Sequence, residues 1–332
     1  MTEPLLELNE LGISFKSKRG MAAAVRGVSF NVAPGESVAV VGESGSGKSV
    51  TALGLLGLLP KSAKITGSAK FNGQELVGLD PSEMRRIRGK KISMIFQDPM
   101  TAFNPVYTIG EQIVEAMEVH GTAEGKAALT RAAELLEMVG VPEPGQRVNQ
   151  YPHEFSGGMR QRAMIAMAIS NSPDLLIADE PTTALDVTVQ AQVMEVLAEI
   201  RQETGAAMIL ITHDLGLVAG AADRVQVMYG GRIFERGPTN EVFYNPRNPY
   251  TQGLMSSMPR VDAIGERLIP IDGSPPSIMN MPEGCAFAPR CRFRQDICTE
   301  RSAVLEVVSE QHMTRCHLTD QLPTYVREGA TA

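Results

Sequence analysis

No stretch of this chain approaches the roughly 18 consecutive apolar residues that a membrane-spanning helix needs. The greasiest segment, Leu53 to Leu59, is interrupted by glycines and stopped by Pro60, and it reads as a short buried helix. Basic charge is also scarce: 31 Lys and Arg stand against 38 Asp and Glu, a net charge of −7. A general grip on DNA or RNA needs a basic face, so no nucleic-acid partner is expected. The local run Arg85, Arg86, Arg88, Lys90 and Lys91 reads as a solvated face. The N-terminus carries Glu3, Glu7 and Glu10 where a secretory signal would be basic. A cytosolic location is therefore expected, and that compartment disfavours disulfides. Internal repeats and low-complexity tracts are absent, and cysteine is absent before residue 285.

What is present fits an ordinary globular α/β protein. Hydrophobic residues make up 43% and charged residues 21% of 332, enough for one large core and a smaller appended part. Val28–Val32 alternates as a half-buried strand does, and Ser37–Val41 is a strand that runs into a glycine-rich loop. Ile113, Ala116 and Met117, then Leu129, Ala132, Ala133 and Leu136, recur at helical spacing, and Pro142, Pro144 and Gly145 are expected to close that stretch. Leu175–Ala178 and Met208–Ile211 are continuous apolar runs suited to buried parallel strands, with a helix between them over about 189–201. After about Thr239 prolines become frequent (Pro246, Pro249, Pro259, Pro270, Pro275, Pro276, Pro282, Pro289) and the cysteines arrive. A domain boundary is expected there, giving units 1–240 and 241–332, with a helical insert at about 98–168 inside the first.

The strongest motif is Gly42, Glu43, Ser44, Gly45, Ser46, Gly47, Lys48 and Ser49, followed by Val50, which fits the phosphate-loop pattern between a strand and a helix. Glycines let several backbone N–H groups turn toward one anion at the positive end of the next helix. Lys48 reaches β- and γ-phosphates, and the Ser49 hydroxyl suits Mg²⁺, so ATP or a similar nucleotide is the expected ligand. Asp179 and Glu180 end the apolar run 175–178, at the sheet edge where ligands bind. Asp179 suits Mg²⁺ coordination, and Glu180 suits polarising an attacking water. Ser156, Gly157 and Gly158 form a second helix start able to hold an anion, with Ser156 as its N-cap.

Taken together, these motifs with Gln97 in Ile95–Pro99, Ala184-Leu-Asp186 and Ile211-Thr-His-Asp214 resemble the ATPase subunit of ABC transporters over about residues 5–240. The resemblance implies that Phe15 stacks on adenine and that Gln97 senses Mg²⁺ and the water while touching a membrane subunit. It also implies that His213 contacts the γ-phosphate, and that Asp186 crosses a dimer interface. Ser156, Gly157 and Gly158 would close on ATP held by the opposite subunit. Phe155 and Met159 stand where the family signature usually has Leu and Gln. The implied fold is a phosphate-loop α/β core with an antiparallel β part, a helical insert and a C-terminal extension.

A narrower resemblance joins Phe96–Pro105, Asn245–Thr251 and the cysteine tail to the dipeptide/oligopeptide importer group, whose second motif more often has His where Asn248 stands. It implies a second ATPase subunit (a paralogue), two transmembrane permeases and an extracytoplasmic solute-binding protein as partners, at the cytoplasmic face of the membrane. Two rival readings are a soluble ABC-type ATPase of nucleic-acid metabolism and an exporter subunit. The first usually carries a long coiled-coil insertion or two cassettes, and neither is present.

Cys285, Cys291, Cys298 and Cys316 are separated by five, six and seventeen residues. Four thiolates can bind zinc or an iron–sulfur cluster, and these gaps exceed those of the usual zinc knuckle. Similarity to the importer group implies a [4Fe-4S] cluster, with zinc as second choice and His317 as a bystander.

Overall fold

The computed structural model describes residues 3–17, 20–183, 185–258 and 270–325. Ala184 and Pro259 lie outside them. The chain forms two compact units: one from residues up to Val32, Ser37–Val77 and the described residues from Thr212 onward, the other from Ala33–Glu36 and Gly78–Ile211.

In the first unit, β1 (Leu6–Ser17) and β2 (Gly20–Val32) form a long antiparallel pair. Only the end of β2 is foreshadowed by alternation. Register shifts between Leu8 and Gly12 and again at Ile13/Ser14, with Glu10 at φ 48°, break the period of two that would mark β1 in sequence. The fully buried β3 (Ser37–Val41) leads through the glycine loop into α1 (Lys48–Leu55). That helix ends earlier than the apolar run does: Gly57 turns into the left-handed region and Leu58 is exposed. Next, β4 (Ala63–Phe71) and β5 (Gln74–Glu75) complete an antiparallel sheet of order β2-β1-β4-β5.

The second unit opens with α2 (Pro81–Ile87), capped by Asp80 with Pro81 in its first turn. The buried strand β6 (Ile92–Ile95) follows, then five helices: α3 (Pro99–Ala102), α4 (Ile109–Glu118), α5 (Gly125–Met138), α6 (Pro144–Arg147) and α7 (Gly157–Ile169). Both helical patterns read from the sequence fall in α4 and α5. Thr108 and Glu111 form a capping box that starts α4. Pro144 was expected to end the helical stretch, yet it occupies the first turn of α6, where a proline costs no hydrogen bond. Parallel strands β7 (Leu175–Asp179) and β8 (Ala207–Thr212) flank α8 (Val187–Thr204), so β6, β7 and β8 lie side by side in that order.

Past β8 the chain is again in the first unit. It passes α9 (Leu215–Val218) to β9 (Arg224–Tyr229), which is parallel to β3, and β10 (Arg232–Pro238), which is antiparallel to β9. Helices α10 (Thr239–Tyr244), α11 (Pro249–Ser256) and α12 (Ile297–Glu300) precede β11 (Glu306–Ser309) and β12 (His312–Thr314). Because β12 pairs with β10 through Glu235↔Thr314 and Arg236↔Met313, the C-terminal hairpin extends the sheet of this unit. Asn248 secures the junction. Buried and capping α11, it accepts from the Tyr250 N–H at 3.0 Å and donates to the carbonyls of Phe234 and Arg315 at 3.1 and 3.2 Å.

Aromatic residues are only 5% of the chain, yet four of them share one core beneath the glycine loop. Tyr229, Phe234, Tyr250 and Phe287 meet with ring centroids 4.6–6.2 Å apart. Each such side chain stabilises the fold by about 1.5–3 kcal/mol on burial.

Candidate active site and the cysteine segment

The glycine loop has the shape its residues demand. Gly42, Gly45 and Gly47 take φ of 153°, 77° and 102°. A Cβ on Gly42 would sit 2.1 Å from the Met228 carbonyl oxygen, and one on Gly47 would sit 2.6 Å from that of Ala24. No other residue fits either place without moving backbone. Lys48 is buried at the start of α1, and its Nζ donates to the Gly42 and Glu43 carbonyls at 2.7 and 3.1 Å. Ser46 Oγ is buried without a hydrogen-bond partner among the described residues. Ser44 and Gly45 are exposed, while Ser49 and Val50 are half-buried in the first turn of α1. The site thus offers an inward ammonium, an open tip and a helix N-terminus, the components of a phosphate cradle. Phe15 lies half-buried on β1, opposite Ala22. His213 is exposed just past the end of β8.

In the second unit, strand register assembles the carboxylate site. Ile95 of β6 pairs with Ala178 of β7, so Gln97 and Glu180, each two residues further on, emerge side by side. Gln97 Nε2 donates to Glu180 Oε2 at 3.0 Å, and Thr183 Oγ1 donates to the same oxygen at 2.8 Å. Glu180 N–H donates to the Ile211 carbonyl at 2.8 Å. Glu180 adopts φ 48°, a left-handed conformation that costs a non-glycine residue about 1–3 kcal/mol and is found where a side chain must be aimed. Asp179 is buried as the last residue of β7, one side chain before Glu180. A serine hydroxyl and a buried carboxylate are both hard oxygen donors, so Ser49 and Asp179 suit Mg²⁺ by donor chemistry.

Ser156 caps α7, its Oγ accepting from the Met159 N–H at 3.3 Å, and Gly157 and Gly158 form the first turn. Nothing lies within 4 Å of a Cβ built on Gly157, so this helix start has open space before it. Phe155 is buried beneath it. Asp186, exposed, caps α8 through the Val189 N–H at 3.0 Å. Sequence reasoning missed Thr183, because a single hydroxyl three residues past Glu180 carries no pattern. It also missed Tyr250 and Arg290, which contact the loop at Glu43 and are taken up below.

The four cysteines are free, with Cys298 buried and the others half-buried. Cys285, Cys298 and Cys316 share a small apolar cluster with Ala288, Phe293, Ile297, Leu318 and Leu322. Burial pushes the Cys285, Cys291 and Cys316 thiols above their ordinary value, and the neighbouring thiols push the same way; Cys316 reaches about 12. Among the described residues, however, no three His, Cys, Asp or Glu side chains form a group able to hold a metal ion. The metal centre expected from the sequence is therefore not assembled in this arrangement, for zinc or for a cluster. Burial among apolar side chains disfavours the thiolate form that a metal takes, and the cysteines of this cluster pack as small apolar groups. No helix among the described residues is long and apolar enough to cross a membrane.

Residues 25–183 match the family model of the ABC transporter, and residues 234–298 match that of the oligopeptide/dipeptide transporter C-terminal region. The chain is 52% identical over 321 residues to the dipeptide transport ATP-binding protein DppD of Bacillus subtilis, covering 96% of each. It is also 52% identical over 319 residues to the oligopeptide transport ATP-binding protein OppD of Mycobacterium bovis. That match takes in 96% of this chain but 52% of the relative, so the chain spans about half the length of that protein. Among solved structures, the ATP-binding cassette MJ0796, described as dimeric in a post-hydrolysis state with ADP and Pi, is similar with a TM-score of 0.64. It is 29% identical and the match covers 70% of this chain and 98% of that one.

Proposed function

This chain belongs to the ABC transporter family, in the branch with an oligopeptide/dipeptide transporter C-terminal region, and we propose that it hydrolyses ATP to energise uptake of peptides or a related small solute. The observation that carries the reading is the Glu180 carboxylate, aimed by a strained backbone and gripped by Gln97 and Thr183, in a chain that also holds a formed phosphate cradle.

In this mechanism Phe15 stacks on adenine, and residues Gly42 to Val50 wrap the phosphates. Lys48 leaves the loop carbonyls for the β- and γ-phosphates, offsetting charge that grows in the transition state. Ser49, Gln97 and Asp179 would hold Mg²⁺, which would supply further charge neutralisation. Glu180 accepts a proton from the attacking water while Gln97 orients the carboxylate, and His213 donates to the γ-phosphate. Ser156, Gly157 and Gly158, with Asp186, serve the ATP of a second ATPase subunit (a paralogue), so that ATP favours the closed pair. The similar cassette MJ0796, described as dimeric, supports this pairing.

Two permeases and an extracytoplasmic solute-binding protein complete the assembly, and the chain sits at the cytoplasmic face of the membrane. Exposed Phe96, Met100, Val106 and Tyr107 on the second unit support docking to a permease. Residues 1–240 act as the ATPase domain, with the helical insert at about 98–168, and residues 241–332 as the extension. Cys285, Cys291, Cys298 and Cys316 are proposed to hold a [4Fe-4S] cluster. Four thiol donors would suit it, with zinc as second choice.

In vesicles containing the permease pair and partner ATPase, ATP turnover is expected to rise when peptide-loaded binding protein is added outside. Turnover that ignores the loaded binding protein would exclude import.

A further inference from the structure

We propose that Arg290 and Tyr250 are positioning residues for the phosphate loop, so that the cysteine-bearing segment braces the ATP site through Glu43. This inference rests on the ATP-binding reading above. Glu43 is the second residue of the loop, and two contacts fix it from the C-terminal part of the chain. Tyr250, fully buried on α11, accepts the Glu43 N–H at its hydroxyl at 2.9 Å. Arg290 grips the Glu43 carboxylate with both terminal nitrogens, Nη2 to Oε1 at 2.9 Å and Nη1 to Oε2.

Arg290 is built as a fixed arm. Its side chain is only 5% exposed. Nε donates to the Asp272 carbonyl at 2.9 Å, and Nη2 and Nη1 also reach the Ile271 carbonyl and the Tyr229 hydroxyl at 3.3 and 3.2 Å. The guanidinium lies 5.9 Å from the ring centroids of Tyr229 and Phe287. With every donor engaged, the fork has one direction left for the carboxylate. The salt bridge also fits the loop's chemistry: a carboxylate beside a polyphosphate repels it, and a paired carboxylate turned toward Arg290 does so less.

The brace leads directly to the cysteines. Arg290 precedes Cys291 in a short turn in which the Ala288 N–H donates to the Cys285 carbonyl and the Cys291 N–H to the Ala288 carbonyl, at 3.0 and 3.3 Å. Cys285 N–H in turn donates to the Cys298 carbonyl at 2.8 Å. Whatever sets the path from Cys285 to Cys298 therefore sets Arg290, and through it one wall of the loop. No spacing pattern in the sequence marks this contact, which joins residues 247 positions apart.

The test is ATP affinity and steady-state hydrolysis on the full chain with its partners. Arg290→Ala is expected to raise the Kd and KM for ATP about tenfold, about 1.4 kcal/mol, with kcat falling less than about threefold. Arg290→Lys, which keeps charge but not the fork, should recover part of the loss. Tyr250→Phe is expected to raise KM about threefold with the fold intact. In a double-mutant cycle, Arg290→Ala should add little to Glu43→Ala. A purely structural role predicts fewer active molecules at unchanged KM, and that result, or additive effects at 290 and 43, overturns the proposal. Failure of the parent protein to bind ATP would instead overturn the ATP reading itself.

Discussion

The phosphate loop and the cysteine segment are each proposed to hold a non-protein group, but their residues are prepared for it to different degrees. The loop is finished before its ligand arrives: three glycines hold left-handed backbone, Lys48 is tucked against its own carbonyls, and the open tip faces out. On the proposed reading ATP would replace contacts that Lys48 already makes, and little backbone would have to be ordered. The cysteine segment is gathered but not finished. Cys285, Cys298 and Cys316 share one apolar cluster, burial pushes the Cys285 and Cys316 thiols up, and no metal-holding group has formed among the described residues. A ligand there must first remove protons and then draw the sulfurs into place. Preorganisation at one site and ligand-driven assembly at the other would distinguish the proposed catalytic cradle from the proposed metal site.

The largest expected effect on ATP binding sharpens the first half of this comparison. Gly47→Val forces a β-branched residue to φ 102° and drives its Cβ toward the Ala24 carbonyl. Strain and collision of about 3 kcal/mol or more should weaken ATP binding by about 100-fold or more. Normal ATP affinity in that variant would mean that the loop adapts and is not preformed. Next comes the brace of Arg290 on Glu43, with its roughly tenfold effect on ATP affinity.

The cysteine segment supplies the smallest and most gradual effect. Metal binding takes the thiolate form, and burial pushes the Cys285, Cys291 and Cys316 thiols up, Cys316 to about 12. Binding must release protons, so uptake of iron by metal-free protein under anaerobic conditions should strengthen as pH rises from about 7 toward 9. Cys316→Ser should lower the iron bound at every pH. Uptake that is independent of pH, or untouched by that substitution, would break the comparison.

The two regions also differed in how far the sequence revealed them. Ser37–Val41, the glycine loop and the start of α1 at Lys48 were legible because apolar run, glycine spacing and helix onset agree locally. Glu180 beside Gln97 was legible only as two separate motifs; parallel register at Ile95↔Ala178 is what joins them. β1 was hidden by its register shifts near Glu10, and the early end of α1 by an apolar run that continues past Gly57. The cysteines were visible by type and spacing, but their apolar packing depends on burial, which spacing does not encode. Arg290 left no local trace, since its meaning lies in a residue 247 positions away.

The most direct test of the central claim is ATP turnover by Glu180→Gln, a substitution that keeps shape and the contacts of Gln97 and Thr183 nearly intact while removing the base. Turnover is predicted to fall by about two to four orders of magnitude with ATP affinity unchanged. Hydrolysis at the parental rate would contradict the account.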